Sequence, residues 1–167
     1  ATPTPINTAS GATSFCQGGN VTPTGSIGYQ SYSWNTGQTT SSISVTSASS
    51  YTLTVGTANG CSGSTSTNVV VNPLPVATVS TSSGAFDFCE GSSLTLEAPV
   101  GASGYQWYKD GTAISGAVSS TLSASSSGSY AVEVTSSDGC SALSASQTVV
   151  KNLNPTASIS NATALSF

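Results

Sequence analysis

The stretch GSYAVEVTSSDGC at residues 128–140 carries the pattern that decides the fold. Tyr130, Val132 and Val134 alternate with small or polar residues, so an extended strand here has one apolar face. The pair Asp138-Gly139 is a hairpin turn signal, and residues 144–150 supply the returning strand. The stretch therefore predicts a β-hairpin with one buried face.

The segments around this hairpin also read as short strands separated by turns. Residues 94–96, 105–108 and 122–124 predict strands, and residues 76–80 predict an initial one. Ser and Thr with interleaved Val and Tyr favour strands over helices, and runs of helix formers at helical spacing are absent. About six or seven short strands with regularly spaced turns are typical of an antiparallel β-sandwich.

Two aromatic positions favour the immunoglobulin-like form of this sandwich. Trp107 lies on a central strand, where its ring can pack between the sheets, and Tyr130 lies where immunoglobulin domains carry the tyrosine corner. Trp34 and Tyr51 take the same places earlier in the chain. An aliphatic residue follows each tyrosine where such domains have their second cysteine, so the usual inter-sheet disulfide is missing. We predict these four aromatic side chains to be core residues.

These correspondences indicate an internal repeat. The repeated elements are Phe15-Cys16 with Phe88-Cys89, Trp34 with Trp107, Tyr51 with Tyr130, and Asn59-Gly60-Cys61 with Asp138-Gly139-Cys140. Each repeat ends in a Val-rich strand and a Pro-containing linker. We therefore predict an all-β chain of tandem immunoglobulin-like antiparallel β-sandwiches with one disulfide per module. Residues 1–73 form the first repeat, residues 74–155 the second, and residues 156–167 the first strand of a truncated third.

Several of these motifs resemble a known family. The runs WNTGQTT at residues 34–40, NGCS at residues 59–62 and FCEGSSLTL at residues 88–96 resemble the immunoglobulin-like tandem repeats of large secreted adhesins of Bacteroidetes. Such repeats occur in long cell-surface proteins that are often exported by the type IX pathway and are associated with gliding or attachment. The resemblance implies an extracellular location at the bacterial cell surface. Residues 105–111 also resemble eukaryotic immunoglobulin modules, but the cysteines are placed differently.

Four cysteines, Cys16, Cys61, Cys89 and Cys140, allow three pairings. Pairing within each repeat respects the repeat symmetry, so we predict the disulfides Cys16–Cys61 and Cys89–Cys140. The alternative, Cys61 with Cys89 across the linker, leaves Cys16 and Cys140 needing other neighbours. A zinc site is not expected because the chain has no His and no C-x-x-C motif. Disulfides imply an oxidising compartment.

The scarcity of charge excludes several classes of function. Charged residues make up 5% of the chain, and none precedes Asp87. Without His, and with few carboxylates, the chain lacks the acids, bases and activated nucleophiles that an enzyme needs, so we expect neither catalysis nor a cofactor. Two isolated Lys cannot neutralise the phosphates of a nucleic acid. No apolar run reaches the roughly 20 residues that span a bilayer.

Two further groups of residues suggest ligand binding. Carboxylates could be calcium ligands, although Asp110 and Asp138 occupy positions that turns favour for their backbone geometry. Aromatic residues could form a platform for stacking sugars, and they are Trp34, Trp107, Tyr29, Tyr32, Tyr105 and Tyr108. Because neighbours along a strand point to opposite faces, Trp107 and Tyr108 cannot both be buried in one core.

From these observations we expect a structural and adhesive repeat segment of a bacterial extracellular surface fibre or giant adhesin, whose partners are neighbouring repeats of the same array. The alternative is a polysaccharide- or protein-binding module appended to a secreted enzyme. We also expect self-association through strand edges or chain ends. The first repeat has no charge to protect its edges, and its uncharged strands include residues 42–45 and 51–55.

Overall fold

The computed structural model describes residues 2–157, which form strands, turns and extended segments without a helix. They divide into two units. The first comprises the residues up to Leu74 together with the turn Asp138–Cys140, and the second comprises Pro75–Ser137 and the residues from Ser141 onward. The all-β prediction is confirmed. Residues 158–167, which carry most of the strand predicted for a third repeat, lie outside the described part.

The first unit is a sandwich of two strand layers. Its strands are β1 (Asn7–Ala9), β2 (Ser14–Cys16), β3 (Pro23–Gly25), β4 (Ser31–Trp34), β5 (Ser49–Gly56) and β6 (Ser62–Asn72). One layer has the order β2-β6-β5-β4, in which β2 runs parallel to β6 and the other pairs are antiparallel. The second layer pairs β1 with β3, and bridges from Val21 to Val45 and from Thr24 to Ser42 extend it.

The second unit follows a similar plan with eight strands instead of six. Its strands are β7 (Asp87–Cys89), β8 (Leu94–Glu97), β9 (Gly104–Lys109), β10 (Thr112–Ala113), β11 (Thr121–Ala124), β12 (Gly128–Thr135), β13 (Ser141–Leu143) and β14 (Gln147–Asn152). One layer has the order β10-β9-β12-β14-β7, with β13 also beside β12, and the other pairs β8 with β11. The β9–β10 hairpin turns at Asp110-Gly111, which both have positive φ (50° and 78°), as a tight two-residue turn requires.

Each unit has its own hydrophobic core, and the predicted core tryptophans are buried there. Trp34 is 2% exposed and Trp107 is fully buried, and each indole Nε1 donates a hydrogen bond to a backbone carbonyl, of Thr40 or Ser119. The remaining buried side chains are mainly Val and Leu that alternate along the strands, in accordance with the period-2 pattern of the sequence.

The tyrosine corner is present in both units. Tyr51 donates its hydroxyl proton to the carbonyl of Ser47 at 2.9 Å, and Tyr130 does so to the carbonyl of Ser126 at 3.0 Å. Both rings are buried, at 6% and 3% exposure. A buried Tyr that bonds the backbone a few residues upstream is a feature of immunoglobulin-like sandwiches. The chain is therefore built from immunoglobulin-like sandwiches that lack the usual inter-sheet disulfide.

One strand that the sequence suggested as an exposed sheet edge lies inside a sheet. Residues 51–55 were expected to be an unprotected strand edge, but they belong to β5, which has β4 on one side and β6 on the other. The four-stranded layer instead ends at β2 and β4, which have three and four residues. Short edge strands are one way in which β-proteins limit edge-to-edge pairing. Residues 42–45 do lie at a margin, where they make only isolated bridges. Self-association remains a prediction.

Core volume is balanced differently in the two units. A methyl group placed on Gly25 would overlap Leu53 Cδ2, so the glycine leaves room for a fully buried leucine. The corresponding residues of the second unit are Ala98 and Val132, both buried. Relative to the first unit, the second unit has one carbon more at the Gly25 position and one carbon fewer at the Leu53 position. The larger residue at the first position thus occurs with the smaller residue at the second, as expected for a compensating pair of substitutions in a close-packed core.

This balance predicts a measurable coupling. Gly25→Ala alone should lower the free energy of unfolding by about 1–3 kcal/mol through overpacking. With Leu53→Val added, the combined loss should be smaller than the sum of the two single losses by about 1 kcal/mol. Chemical denaturation followed by tryptophan fluorescence measures both. Gly11→Ala is the matched control, because nothing lies within contact distance there. Strict additivity at Gly25 and Leu53 would contradict the proposed balance.

Candidate functional site

The covalent chemistry of the chain lies in its cysteines, and the structure pairs them differently from the sequence prediction. Cys16 and Cys140 form a disulfide, with an S–S distance of 2.02 Å and a Cα–Cα distance of 5.6 Å. Cys61 and Cys89 are free thiols and are exposed. The predicted pairs Cys16–Cys61 and Cys89–Cys140 are therefore wrong, and so is one disulfide within each module. The bond joins the first-strand cysteine of one sequence repeat to the turn cysteine of the next.

Strand geometry explains why pairing within the first repeat fails. Cys16 lies opposite Asn72, the last residue of β6, whereas Cys61 immediately precedes Ser62, the first residue of that strand. At about 3.3 Å per residue, the two ends of β6 are about 33 Å apart. A disulfide needs Cα atoms within about 7 Å.

The same obstacle exists in the second repeat. Cys89 lies opposite Asn152 at the end of β14, and Cys140 precedes Ser141, which pairs with Thr135 at the end of β12. Because β14 is antiparallel to β12 and Val149 pairs with Gly128, Asn152 and Thr135 lie at opposite ends of the layer, about ten residues or 33 Å apart along the strands. In each repeat, the two cysteines thus lie too far apart to bond.

The second unit also carries a pocket on the outward face of the β9–β12–β13 layer. The pocket has a volume of about 310 Å³, and its lining residues are Tyr108, Gly111, Ser129, Ala131, Glu133, Leu143 and Ser146. Alternation along β9 and β12 produces this face, because Trp107 and Val132 point into the core while their neighbours point outward. Leu143 is 63% exposed, so the pocket has an apolar rim.

Tyr108 and Glu133 form the polar centre of this pocket. The Tyr108 hydroxyl donates a hydrogen bond to Glu133 Oε2 at 2.9 Å. This bond, together with desolvation and the negative charge of Glu133, raises the pKa of Tyr108 above its ordinary value of 10. The pair therefore presents a neutral phenol ring beside a hydrogen-bonding carboxylate. An aromatic face next to such a group can hold a polar ligand that also has an apolar side.

The outward face of the first unit lacks this arrangement. Asn35 occupies the position that corresponds to Tyr108, and its side-chain amide bonds the Ser50 carbonyl and the Thr52 backbone N–H. In the second unit Asp110 makes a different contact, in which its Oδ1 accepts from the Ser129 N–H at 2.8 Å. Tyr108 points outward instead, where its hydroxyl bonds Glu133.

Most of the aromatic residues considered for a sugar platform do not lie on the surface together. Trp34 and Trp107 are core residues, and three of the tyrosines pack against the cores: Tyr29, Tyr32 and Tyr105. Only Tyr108 of this group belongs to the outward pocket. The sequence indicated that one of Trp107 and Tyr108 faces outward, but it did not indicate Glu133 as the partner. Their shared face follows from the β9–β12 register, in which Tyr108 pairs with Ala131 and Glu133 with Gln106.

Other site types receive no support within residues 2–157. No group of three or more His, Cys, Asp or Glu residues that could hold a metal ion occurs in that range. Asp110 serves as a turn residue and as an acceptor for a backbone amide. No helix long and apolar enough to cross a membrane is present among the described residues.

Comparison with known proteins finds solved structures of low sequence identity. No protein-family model matches the chain, and no curated protein matches it either. Similar solved structures include murine CEACAM1b (14% identity, 89% of this chain and 100% of that chain, TM-score 0.43) and the fibronectin(III)-like modules of Clostridium thermocellum CbhA (12% identity, 89% and 94%, TM-score 0.43). Bacteroides ovatus SGBP-B, solved with a mixed-linkage heptasaccharide, is 18% identical over 90% of this chain and 48% of that chain, with a TM-score of 0.32.

At these identities the similarity is one of fold alone. The fold assignment rests on the strand order, the buried tryptophans and the tyrosine corners of this chain. A disulfide in an immunoglobulin-like sandwich fits an extracellular domain.

Proposed function

We propose that the chain is a non-catalytic structural and adhesive segment of a bacterial extracellular surface fibre or large adhesin. The observation that carries the proposal is the disulfide Cys16–Cys140, because it links one sequence repeat to the next. A binding module has no need of a covalent connection between repeats. A segment that transmits tension along a fibre does, since the bond prevents the sandwiches from being pulled out to full length.

The length of the closed loop gives the size of this mechanical effect. Cys16 and Cys140 are separated by 124 residues in a chain of 167. A force applied to the two chain ends can extend only the residues outside the loop while the bond is intact. Reduction would release about 430 Å of further chain at about 3.5 Å per residue.

Single-molecule pulling from the two termini tests this role. We expect the oxidised chain to extend by about 150 Å, which corresponds to the 42 residues outside the loop, 15 before Cys16 and 27 after Cys140. The variant Cys16→Ala/Cys140→Ala should extend by the additional length. Cys61→Ser/Cys89→Ser is the control and should behave as the unaltered chain. Full extension of the unaltered oxidised chain would contradict the structural role.

The surface composition supports an adhesive role outside the cell. The first repeat has no charged side chain, and its outward strands carry Ser and Thr, which hydrate without long-range repulsion between neighbouring chains. Edge contacts between the first repeats of two copies would therefore meet no electrostatic barrier. Binding of an antibody raised against this chain to intact cells of the source organism tests the surface location. Labelling that requires lysis would contradict it.

A second function, binding of a polysaccharide or peptide ligand, is favoured by the Tyr108–Glu133 pocket. In this case the chain is a binding module appended to a secreted enzyme. Screening on a glycan array, followed by titration of any hit, tests it. Tyr108→Ala should weaken binding about tenfold through loss of ring contact, while Tyr108→Phe should retain most of the affinity. Thr54→Ala in the first unit, at the position corresponding to Glu133, is the control. Equal affinity of the Tyr108→Ala variant and the unaltered chain would show that the ligand does not bind in this pocket.

A further inference from the structure

The two free cysteines occupy the same local structures as the two bonded ones. Cys16 closes β2 opposite Asn72, and the next residue, Gln17, donates its N–H to the Asn72 carbonyl at 2.8 Å. The chain then turns, with Gly18 at φ 92° and the Gly19 N–H donating to the Cys16 carbonyl at 2.9 Å. This arrangement, which we call the ladder half-site, presents Cys16 to its disulfide partner.

Cys89 lies in a second copy of the ladder half-site. It closes β7 opposite Asn152, and Glu90 donates its N–H to the Asn152 carbonyl at 2.8 Å. Gly91 has φ 91°, and the Ser92 N–H donates to the Cys89 carbonyl at 3.1 Å. The register, the hydrogen bonds and the positive φ of the first half-site are all reproduced. What differs is that Cys89 is an exposed free thiol.

The turn cysteines show the same relationship. Cys61 and Cys140 each form the last residue of a hairpin loop, directly before β6 or β13, and each follows a glycine with φ near 76°. We call this arrangement the turn half-site. Cys140 is fully buried and bonded, whereas Cys61 is exposed and free. The chain thus contains one completed bond between a ladder half-site and a turn half-site, and one unused half-site of each kind.

We propose that Cys89 forms a disulfide with Cys61 of a second copy of this chain, in the manner in which Cys16 bonds Cys140. The proposal rests on the structural role argued above, and it names a second copy of this chain as the neighbour to which the segment is joined. The completed bond identifies the partner, because it is the one disulfide in residues 2–157 and it joins the two kinds of half-site. A bond between two half-sites of the same kind has no counterpart there.

The chemistry of the bond is a pair of thiol–disulfide exchanges. With oxidised glutathione as the oxidant, the Cys89 thiolate attacks one glutathione sulfur, forms a mixed disulfide and releases one reduced glutathione. The Cys61 thiolate of the second copy then attacks the Cys89 sulfur and releases the second. Two protein thiols lose two protons and two electrons in total, and one glutathione disulfide becomes two glutathione molecules.

Two single-cysteine variants test the proposal. Cys61→Ser retains only the free ladder half-site, and Cys89→Ser retains only the free turn half-site, while the bond Cys16–Cys140 stays in both. Both substitutions are at exposed positions, so the fold is expected to be unaffected. The variants are oxidised with oxidised glutathione, alone and as an equal mixture, at about 1 mM, the effective concentration that a short linker provides. Non-reducing electrophoresis separates the products, and peptide mapping identifies the bonded pair.

The mixture should give the heterodimer about tenfold in excess over either homodimer, and mapping should find Cys89 bonded to Cys61. Each variant alone should remain largely monomeric. Random collision gives only a twofold excess, and that ratio would overturn the proposal, as would glutathione adducts without dimers. Failure here with the expected result in the pulling experiment would leave the structural role intact. Failure of the pulling experiment alone would remove the mechanical role and not the pairing.

Discussion

Replacing Trp107 by alanine should lower the free energy of unfolding of the second unit by about 3–5 kcal/mol, the range for truncating a large buried aromatic side chain. The ring is fully buried among Val, Leu and Tyr side chains, so its loss leaves a cavity at the centre of the core. The indole Nε1 also donates to the Ser119 carbonyl at 2.9 Å, and the substitution removes that donor.

The design of this experiment uses the presence of one tryptophan in each unit. In the Trp107→Ala variant, Trp34 is the remaining tryptophan and reports on the first unit, while hydrogen exchange of residues 128–135 reports on the second. The variant Trp107→Phe separates the contribution of ring packing from that of the indole hydrogen bond, because phenylalanine retains most of the ring volume and has no N–H to donate. A loss below about 1 kcal/mol would mean that Trp107 does not hold the core together.

Removing the disulfide is expected to have an effect of similar size. Cys16→Ala/Cys140→Ala should lower the free energy of unfolding by about 5 kcal/mol in the chain-entropy model, because the bond closes a loop of 124 residues in the unfolded chain. The midpoint of guanidinium denaturation measures the loss. Cys61→Ser/Cys89→Ser should change stability by less than about 0.5 kcal/mol, since both thiols are exposed.

A second measurement on the unaltered chain checks the same bond. Cys140 is fully buried and Cys16 is half-buried, so a mild reductant should open the disulfide more slowly than it reduces the same bond in an unfolded peptide. Reduction as rapid as that of an unfolded peptide, or denaturation midpoints that coincide for the alanine and serine pairs, would show that Cys16–Cys140 does not support the fold.

Local pattern was sufficient to predict most strands of the second unit and the core aromatics, although the returning strand predicted at 144–150 is divided into β13 and β14. Tyr130, Val132 and Val134 alternate as the sequence indicated and are all buried, because period-2 spacing on a strand fixes which side chains share a face. The Asp138-Gly139 and Asp110-Gly111 turns also follow from composition, since positive φ is accessible to Gly and Asp. The strand predicted at residues 76–80 is wrong for most of its length, because only Ser80 forms a β-bridge.

Repeat symmetry was not sufficient to predict the disulfide. Two pairings are equally symmetric: each ladder cysteine with the turn cysteine of its own repeat, or with that of the following repeat. Strand length decides between them. The run from Ser62 to Asn72 is one long alternating strand, so a cysteine just before its start cannot reach one that pairs with its end. The sequence contained this signal, but the parallel pairing of β2 with β6 was needed to apply it.

The outward pocket depends on register between distant strands, which local pattern does not determine. Tyr108 and Glu133 share a face because β9 pairs with β12 in one register, and a shift by one residue would place them on opposite faces. The register is fixed by the buried Trp107 opposite Val132. The arrangement of Tyr108 and Glu133 in the candidate site is therefore determined by core packing on the other side of the same sheet.

The compensating pair Gly25 with Leu53 and Ala98 with Val132 has a consequence for how such genes can recombine. A crossover inside a repeat that joined Ala98 to Leu53 would crowd one core, and the reciprocal product, Gly25 with Val132, would lack a methyl group on both sides. Crossovers in the Pro-containing linkers keep each pair together. We therefore expect exchange of whole repeats to cost less stability than exchange of half repeats.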